Sequence, residues 1–244
     1  RLDMTRVYPL AGPIAVKGAR PGDALEIEML DLTAGSWGWS GINPGFGLLP
    51  EEATEPYLHI WDLSAGTAGD LRPGIRIPLD PFCGTIGVAP ETPRSHPVMP
   101  PGRFGGNMDI RHLTQGATLF LPVWVDGALF SCGDPHAAQG DGEVSGTAIE
   151  TPAQARLTLD VDEDLRLEWP VARIRGAWLT FGMDEHLGRA AKIAVDGMVA
   201  LMGRELGVFG GDALVLASVG VDLRVTQVVN GTLGVHAVLR DDAF

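Results

Sequence analysis

The chain reads first as a succession of short strands. In GPIAVKGARPGDALEIEMLDL, Ile14 and Val16 alternate with polar or small neighbours, and Leu25, Ile27 and Met29 alternate against Glu26 and Glu28. Period-two alternation of this kind marks half-buried β-strands, and Pro21-Gly22-Asp23 supplies the turn between them. The same reasoning predicts strands in YLHIWDL and IRIPL and a short apolar strand bracketed by prolines in LDPFCGTIGVAPETP. It also predicts two apolar strands joined by a VDGAL turn in ATLFLPVWVDGALFSCGD. EVSGTAIET and QARLTLDVDEDLRLEWP continue the pattern, with Leu157, Leu159 and Val161 alternating. Residues 37–47, WGWSGINPGFG, are too rich in glycine and proline for a helix and read as an ordered loop. Their rings, Trp37, Trp39 and Phe46, suit either the capped end of a barrel or sandwich or the wall of a small-molecule pocket. Residues 93–107 are the most linker-like stretch.

One pattern is helical. In DEHLGRAAKIAVDGMVALMGRELG, Leu187, Ala190, Ala191, Ala194, Met198, Leu201 and Met202 recur at helical spacing, with Arg189, Lys192 and Asp196 on the opposite face. Asp184 is the expected N-cap and Gly207 the expected stop. A shorter helix is predicted at GDALVLASV, followed by a strand in DLRVTQVVN. Shifting the chain by 94 positions sets Gly12, Ile14, Val16, Gly22, Leu25 and Ile27 against Gly106, Met108, Ile110, Gly116, Leu119 and Leu121, a faint duplicated strand-turn-strand unit. The fold class expected is α+β, mainly β. A sandwich- or barrel-like β-rich core over residues 1–170 would carry an α+β region over residues 171–244 packed on it.

Composition agrees with strands joined by many turns. Of 244 residues, 33 are glycine and 18 proline, more than a helical bundle would carry. A formal charge of −13 argues against nucleic acid or an anionic membrane as partner and suits neutral or cationic small molecules. No apolar run reaches membrane-spanning length. The two cysteines, Cys83 and Cys132, make neither a disulfide framework nor a zinc knuckle, so a reducing cytoplasm is expected. The chain opens without an initiator Met and enters strand-like sequence almost at once, which suggests that an N-terminal segment is missing.

The chemistry concentrates in GDPHAAQGDGE, residues 133–143, roughly ten residues where a tight hairpin needs only two to five. Asp134, His136, Asp141 and Glu143 offer oxygen donors and one imidazole, a set suited to zinc, manganese or calcium rather than to metals that want thiolates. The spacing is incomplete by itself, and Asp109, following Gly105-Gly106, is the best remote ligand. A metal site with one open position acidifies water and polarises a carbonyl. Glu143, read as the first residue of an outgoing strand, would be the base, with Asn107 and Gln139 donating to the oxyanion or to the substrate amide. Asp141 would be a further ligand or would orient His136. A plain solvated turn, closed by the Asp141 side chain, explains the same composition. So does a calcium-holding β-sandwich module without catalysis. A nucleophilic Cys132 paired with His136 is a weaker alternative to a buried strand cysteine.

Several stretches together resemble the acetamidase/formamidase family. They are GPIAVKGARPGDALEIEMLDL, WGWSGINPGFGLLP, IPLDPFCGTIGVAP, LASVGVDLRVTQVVN and the long central block PPGRFGGNMDIRHLTQGATLFLPVWVDGALFSCGDPHAAQGDGEVSGTAIET, in family order over most of residues 12–230. The resemblance implies an amidohydrolase cleaving short aliphatic amides such as formamide and acetamide, or cyclic amides (γ-lactams) in some relatives. It implies a homo-oligomer acting on a small neutral amide and a divalent metal, zinc first and calcium second. The family's polar centre falls on Asn107, Asp109, Asp134, His136, Gln139, Asp141 and Glu143.

Overall fold

The computed structural model describes residues 8–244, so the strand-like reading of the first seven residues lies outside the described residues. The front of the chain forms β1 (Leu10–Ile14), β2 (Ala24–Ala34), β3 (Trp37–Ile42), β4 (Tyr57–Asp62), β5 (Ala68–Arg72), β6 (Ile75–Pro78) and β7 (Phe82–Gly87). The middle forms β8 (Gly105–Asn107), β9 (Thr118–Pro122), β10 (Phe130–His136), β11 (Ala153–Asp162), β12 (Val171–Ile174) and β13 (Ala177–Asp184). Two helices, α1 (Leu187–Leu206) and α2 (Gly210–Gly220), then precede β14 (Val221–Gln227) and β15 (Leu233–Arg240). The mainly β, α+β class expected of the sequence holds.

Two sheets enclose the principal core. One has four strands in the order β1-β10-β7-β8, and the other seven in the order β11-β2-β9-β12-β13-β15-β14. Leu25, Ile27, Leu119 and Leu121 from the larger sheet meet Cys83, Ile86 and Phe130 from the smaller one. In β2 and β9 one parity faces the partner sheet, whereas every residue of β7 is buried. The two halves of the faint repeat meet here: Leu25 pairs with Leu121 and Ile27 with Leu119, antiparallel. The boundary expected near residue 170 falls inside the larger sheet, since β12 pairs with β9 on one side and β13 on the other.

The helical face lands as its spacing predicts except at its first position, Leu187, which is exposed. Ala190, Ala194, Met198, Leu201 and Met202 of α1 pack on Val235, Ala237 and Leu239 of β15, and Gly207 ends the helix at φ 67°. The N-terminus differs: Asp184 is still the last residue of β13, paired with Leu233, and its Oδ1 accepts from the His186 N–H at 2.8 Å. The N-cap is therefore His186. Two other readings are corrected. Residues 37–42, expected as loop, form β3, because cross-strand pairing with β4 from Trp37↔Asp62 to Ile42↔Tyr57 outweighs their glycines. EVSGTAIET, expected as strand, makes turns and isolated bridges, with Glu150 bridging both Trp39 and His136.

Candidate active site

The site is assembled on the central pair of the smaller sheet. β10 runs antiparallel to β7, setting Gly133 against Thr85, Pro135 against Cys83 and His136 against Phe82. β8 flanks β7 on its far side and sets Asn107 against Thr85. The first four residues of the loop expected at 133–143 are thus strand, which fixes Asp134 and His136 on a rigid element. Asp109 does not lie on a strand. It follows β8 by two residues, with its N–H donating to the Gly84 carbonyl at 3.1 Å. Glu143 also sits outside any strand, next to a bridge between Gly142 and Gln227.

Three of these acids occupy left-handed backbone: Asp109 at φ 51°, Asp134 at 55° and Glu143 at 48°. Such conformations cost about 1–3 kcal/mol each and persist where surrounding structure imposes them, most often at functional sites. Gly84 explains how closely the groups approach. A Cβ there would stand 2.6 Å from Asp109 Oδ1 and 2.7 Å from His136 Cε1. Only glycine leaves room for both side chains against β7.

His136 is the hub and is 1% exposed. Its Nδ1 lies 2.9 Å from Gln139 Oε1, while Gln139 Nε2 donates to the Asp109 carbonyl at 2.9 Å. Since the amide oxygen can only accept, Nδ1 carries the proton. Nε2 then faces Glu150 Oε2 at 3.2 Å and Asp134 Oδ2 at 3.6 Å. Phe82 packs edge-on against the ring, with centroids 5.1 Å apart. A bare nitrogen lone pair opposite two carboxylates is repulsive, so Nε2 must hold a proton or a cation. Burial opposes an imidazolium here, but Glu150, Asp134 and Asp109 override it and raise the His136 pKa well above its ordinary value.

The remaining carboxylates are crowded. Burial, then the neighbouring Asp109, pushes Glu143 up to about 10. Burial and Asp134 push Asp109 up to about 6, against the pull of His136. One oxygen of Asp109 accepts from Asn230 Nδ2, whereas buried Oδ1 has no hydrogen-bond partner. Ligand atoms of Asp134, His136 and Glu150 lie within 4.8 Å of one another, as do those of Asp109, His136 and Glu143. Because Nδ1 is committed to Gln139, the free Nε2 makes Asp134, His136 and Glu150 the better set for a cation. Around them Thr85 Oγ1 lies 2.8 Å from Asn107 Oδ1, 3.2 Å from Tyr8 Oη and 3.4 Å from Asp134 Oδ2. Burial, then Asp134, raises the Tyr8 pKa.

Of the residues expected from the sequence, Asn107, Asp109, Asp134, His136, Gln139 and Glu143 come together. Asp141 does not join them. It groups with His112 and His236, 4.0 Å from His112 Nε2. Burial lowers the pKa of both of these histidines, that of His236 to about 3. Glu150, Thr85, Asn230 and Gly84 are contributors the sequence reading missed. Glu150 sat in a stretch that mimics a strand, and Asn230 comes from the far end of the chain.

A cleft of about 830 Å³ adjoins this centre through Gln139 and Glu143; Trp61, Ile77 and Ile149 wall it and Asp141 also lines it, whereas Asp109, Asp134, His136 and Glu150 lie behind that lining. Trp37, Trp39 and Phe46, read as either a barrel or sandwich cap or pocket walls, do not line it; Trp37 is 50% and Trp39 37% exposed.

The model of the Acetamidase/Formamidase family matches residues 1–98 and 92–175. An acetamidase from Mycolicibacterium smegmatis is 30% identical, over 59% of this chain and 50% of its own length. A formamidase from Methylophilus methylotrophus is 29% identical, over 59% and 49%. The chain spans about half the length of the curated relatives it matches. The crystal structure of an acetamidase from Bacillus halodurans superposes with a TM-score of 0.93 at 35% identity, covering 98% of this chain and 80% of that one.

Proposed function

Since the chain belongs to the acetamidase/formamidase family, we propose that it is an amidohydrolase that cleaves short aliphatic amides to the carboxylate and ammonia. The observation that carries this reading is the convergence of Asp109, Asp134, Glu143 and Glu150 on one buried imidazole, with Glu143 also lining a cleft. Four carboxylates and one histidine cannot all ionise in a water-poor space without a compensating cation. The donor set fits a divalent ion: Nε2 of His136 is directed at Asp134 and Glu150, and the Oδ1 of Asp109 is unpartnered. Asp134, His136 and Glu150 would hold it, and an imidazole donor favours zinc over calcium. When bound, such an ion supplies Lewis acidity toward the amide carbonyl and makes water more acidic.

The chain's own groups do the rest. Gln139 locks the His136 tautomer and ties it to the backbone of Asp109. Glu143 is the member of the cluster that reaches the cleft. Glu143, crowded by Asp109 and Glu150, would ionise more readily with a cation held by Asp134, His136 and Glu150. As water adds to the carbonyl carbon, its proton passes to Glu143. Glu143 then returns that proton to nitrogen as the C–N bond breaks, releasing ammonia and the acid. Trp61, Ile77 and Ile149 offer an apolar wall to a small alkyl group. We assign Asn107, clamped by Thr85 and Asn230, to orienting the substrate amide.

Exposed apolar side chains on the β3–β4 hairpin (Trp37, Tyr57, Leu58, Ile60) and at α2 (Phe209, Leu214, Val215, Val219) support a homo-oligomer. The free cysteines Cys83 and Cys132 support a cytoplasmic setting. No described helix is long and apolar enough to cross a membrane. The function is tested by ammonia release across formamide, acetamide and a γ-lactam, with wild type beside Glu143→Gln. The variant is expected to lose about 10²–10⁴-fold in kcat. Equal turnover in the two overturns the assignment of Glu143. Cleavage of the lactam alone redirects the substrate class, and no cleavage at all leaves a binding module.

A further inference from the structure

A second group of metal-ligating atoms lies beside the first and is not needed by the chemistry above. His112 follows Asp109 by three residues, Asp141 belongs to the 137–143 loop, and His236 lies at the middle of β15. One ligand atom of each falls within 4.8 Å of the others. His112 Nε2, His236 Nε2 and Asp141 Oδ1 are all buried atoms without a hydrogen-bond partner. His236 itself is fully buried. Three orphaned polar atoms meeting at one point are unusual, because native interiors pair nearly all of theirs. The neighbouring atoms are already committed. Thr226 Oγ1 lies 2.8 Å from His236 Nδ1, and Arg224 Nη1 lies 3.7 Å from Asp141 Oδ2. With Nδ1 of His236 paired to the Thr226 hydroxyl, Nε2 is the ring nitrogen left without a partner.

We propose that His112, Asp141 and His236 form a second divalent-cation site of the first-row transition class, held through two imidazole nitrogens and one carboxylate oxygen. Two imidazoles with one carboxylate form a donor set that such metals accept while keeping positions open. Bonds of about 2.0–2.1 Å in a tetrahedron put donor atoms roughly 3.4 Å apart. The 4.0 Å between His112 Nε2 and Asp141 Oδ1 therefore closes with a small side-chain movement. The ion would join the loop that carries Gln139 and Glu143 to β15. Backbone bonds already fasten that loop to β14, from Gly142 N to the Thr226 carbonyl (2.9 Å) and from Val228 N to the Gly142 carbonyl (3.1 Å). The site would thus brace the loop that carries Glu143.

The test is cobalt stoichiometry in the whole chain, stripped by chelator and titrated with Co²⁺ alone. Bound metal is read by elemental analysis and by visible ligand-field bands. His112→Gln and Asp141→Asn are expected each to bind one equivalent fewer than wild type and to lose one set of bands, with unchanged circular dichroism. The His112 side chain is 24% exposed, so its replacement is the milder of the two with respect to folding. His136→Asn reports separately on the first cluster and is expected to retain the equivalent assigned here. Failure at His136 alone therefore speaks to the proposed function and not to this site. Undiminished cobalt in both His112→Gln and Asp141→Asn overturns the proposal, as does a natively folded His136→Asn that binds no cobalt. In that last case the three atoms are bridged by water only.

Discussion

His136 and its contacts set the terms at the scale of single residues. Its Nδ1 is spent on Gln139, so its Nε2 is the atom available to a cation, and its orientation depends on an amide three residues away. Gln139→Leu removes that support while leaving Asp134, His136 and Glu150 in place. It is expected to weaken metal binding by about 10–100-fold, measured by competition with a calibrated chelator. Gly84→Ala acts sterically, because a Cβ 2.6 Å from Asp109 Oδ1 and 2.7 Å from His136 Cε1 forces one of them away. We expect a loss of about 1–3 kcal/mol in stability, read by denaturant unfolding, together with loss of ammonia release. His136, Asp109 and Glu143 were legible in the sequence because they stand among glycines with more polar side chains than a turn requires. Glu150 was not, since its approach to His136 depends on a bridge between segments that the pattern does not pair. Asp141 was legible as a ligand type but not as to partner, because His112 and His236 reach it only through the tertiary fold.

At the scale of elements, alternation and pairing decide what is stable. β2 and β11 are adjacent, and their register sets Glu26 directly opposite Asp160. Burial, then Asp160, Asp162 and Glu28, raises the Glu26 pKa. The native state therefore holds that proton more tightly than the unfolded chain. The resulting contribution is present below the unfolded value of 4.5 and is lost as pH rises through the folded one. Glu26→Gln should accordingly stabilise the protein at pH 7, and the gain should vanish near pH 3. Exposure and salt screening keep the gain at pH 7 to a few tenths of a kcal/mol, near the lower end of about 0.2–1 for cross-strand pairs. Melting temperatures of both forms at the two pH values check it. The packing of α1 on β13 is far less tolerant. A Cβ at Gly182 would come 2.6 Å from the Ala194 backbone nitrogen and closer still to the Ala190 carbonyl, so Gly182→Ala should lower the melting temperature by many degrees. Both elements were legible, α1 from its apolar period and β2 from its alternation. The β3–β4 hairpin was not, because glycines at 38 and 41 mask a strand that pairing with β4 imposes.

For the molecule as a whole, one seven-stranded sheet runs through the boundary that the pattern of strands and helices suggested near residue 170. Residues 171–244 contribute β12, β13, β14 and β15, yet β12 needs β9, and the inward faces of β12 and β13 need the principal core. A fragment of residues 171–244 is expected to lack a cooperative unfolding transition by circular dichroism, whereas the whole chain shows one. The same sheet brings Asn230 and His236, from the end of the chain, against Asp109 and His112 from its middle. The proposed catalytic cluster is accordingly a property of the assembled sheets, and no short stretch contains it. The most direct test of the central claim is ammonia release from formamide by chelator-stripped chain resupplied with zinc, for wild type and His136→Asn side by side. The account predicts that stripping abolishes turnover and that zinc restores it in wild type alone. Turnover that survives stripping, or that zinc restores equally in His136→Asn, contradicts it.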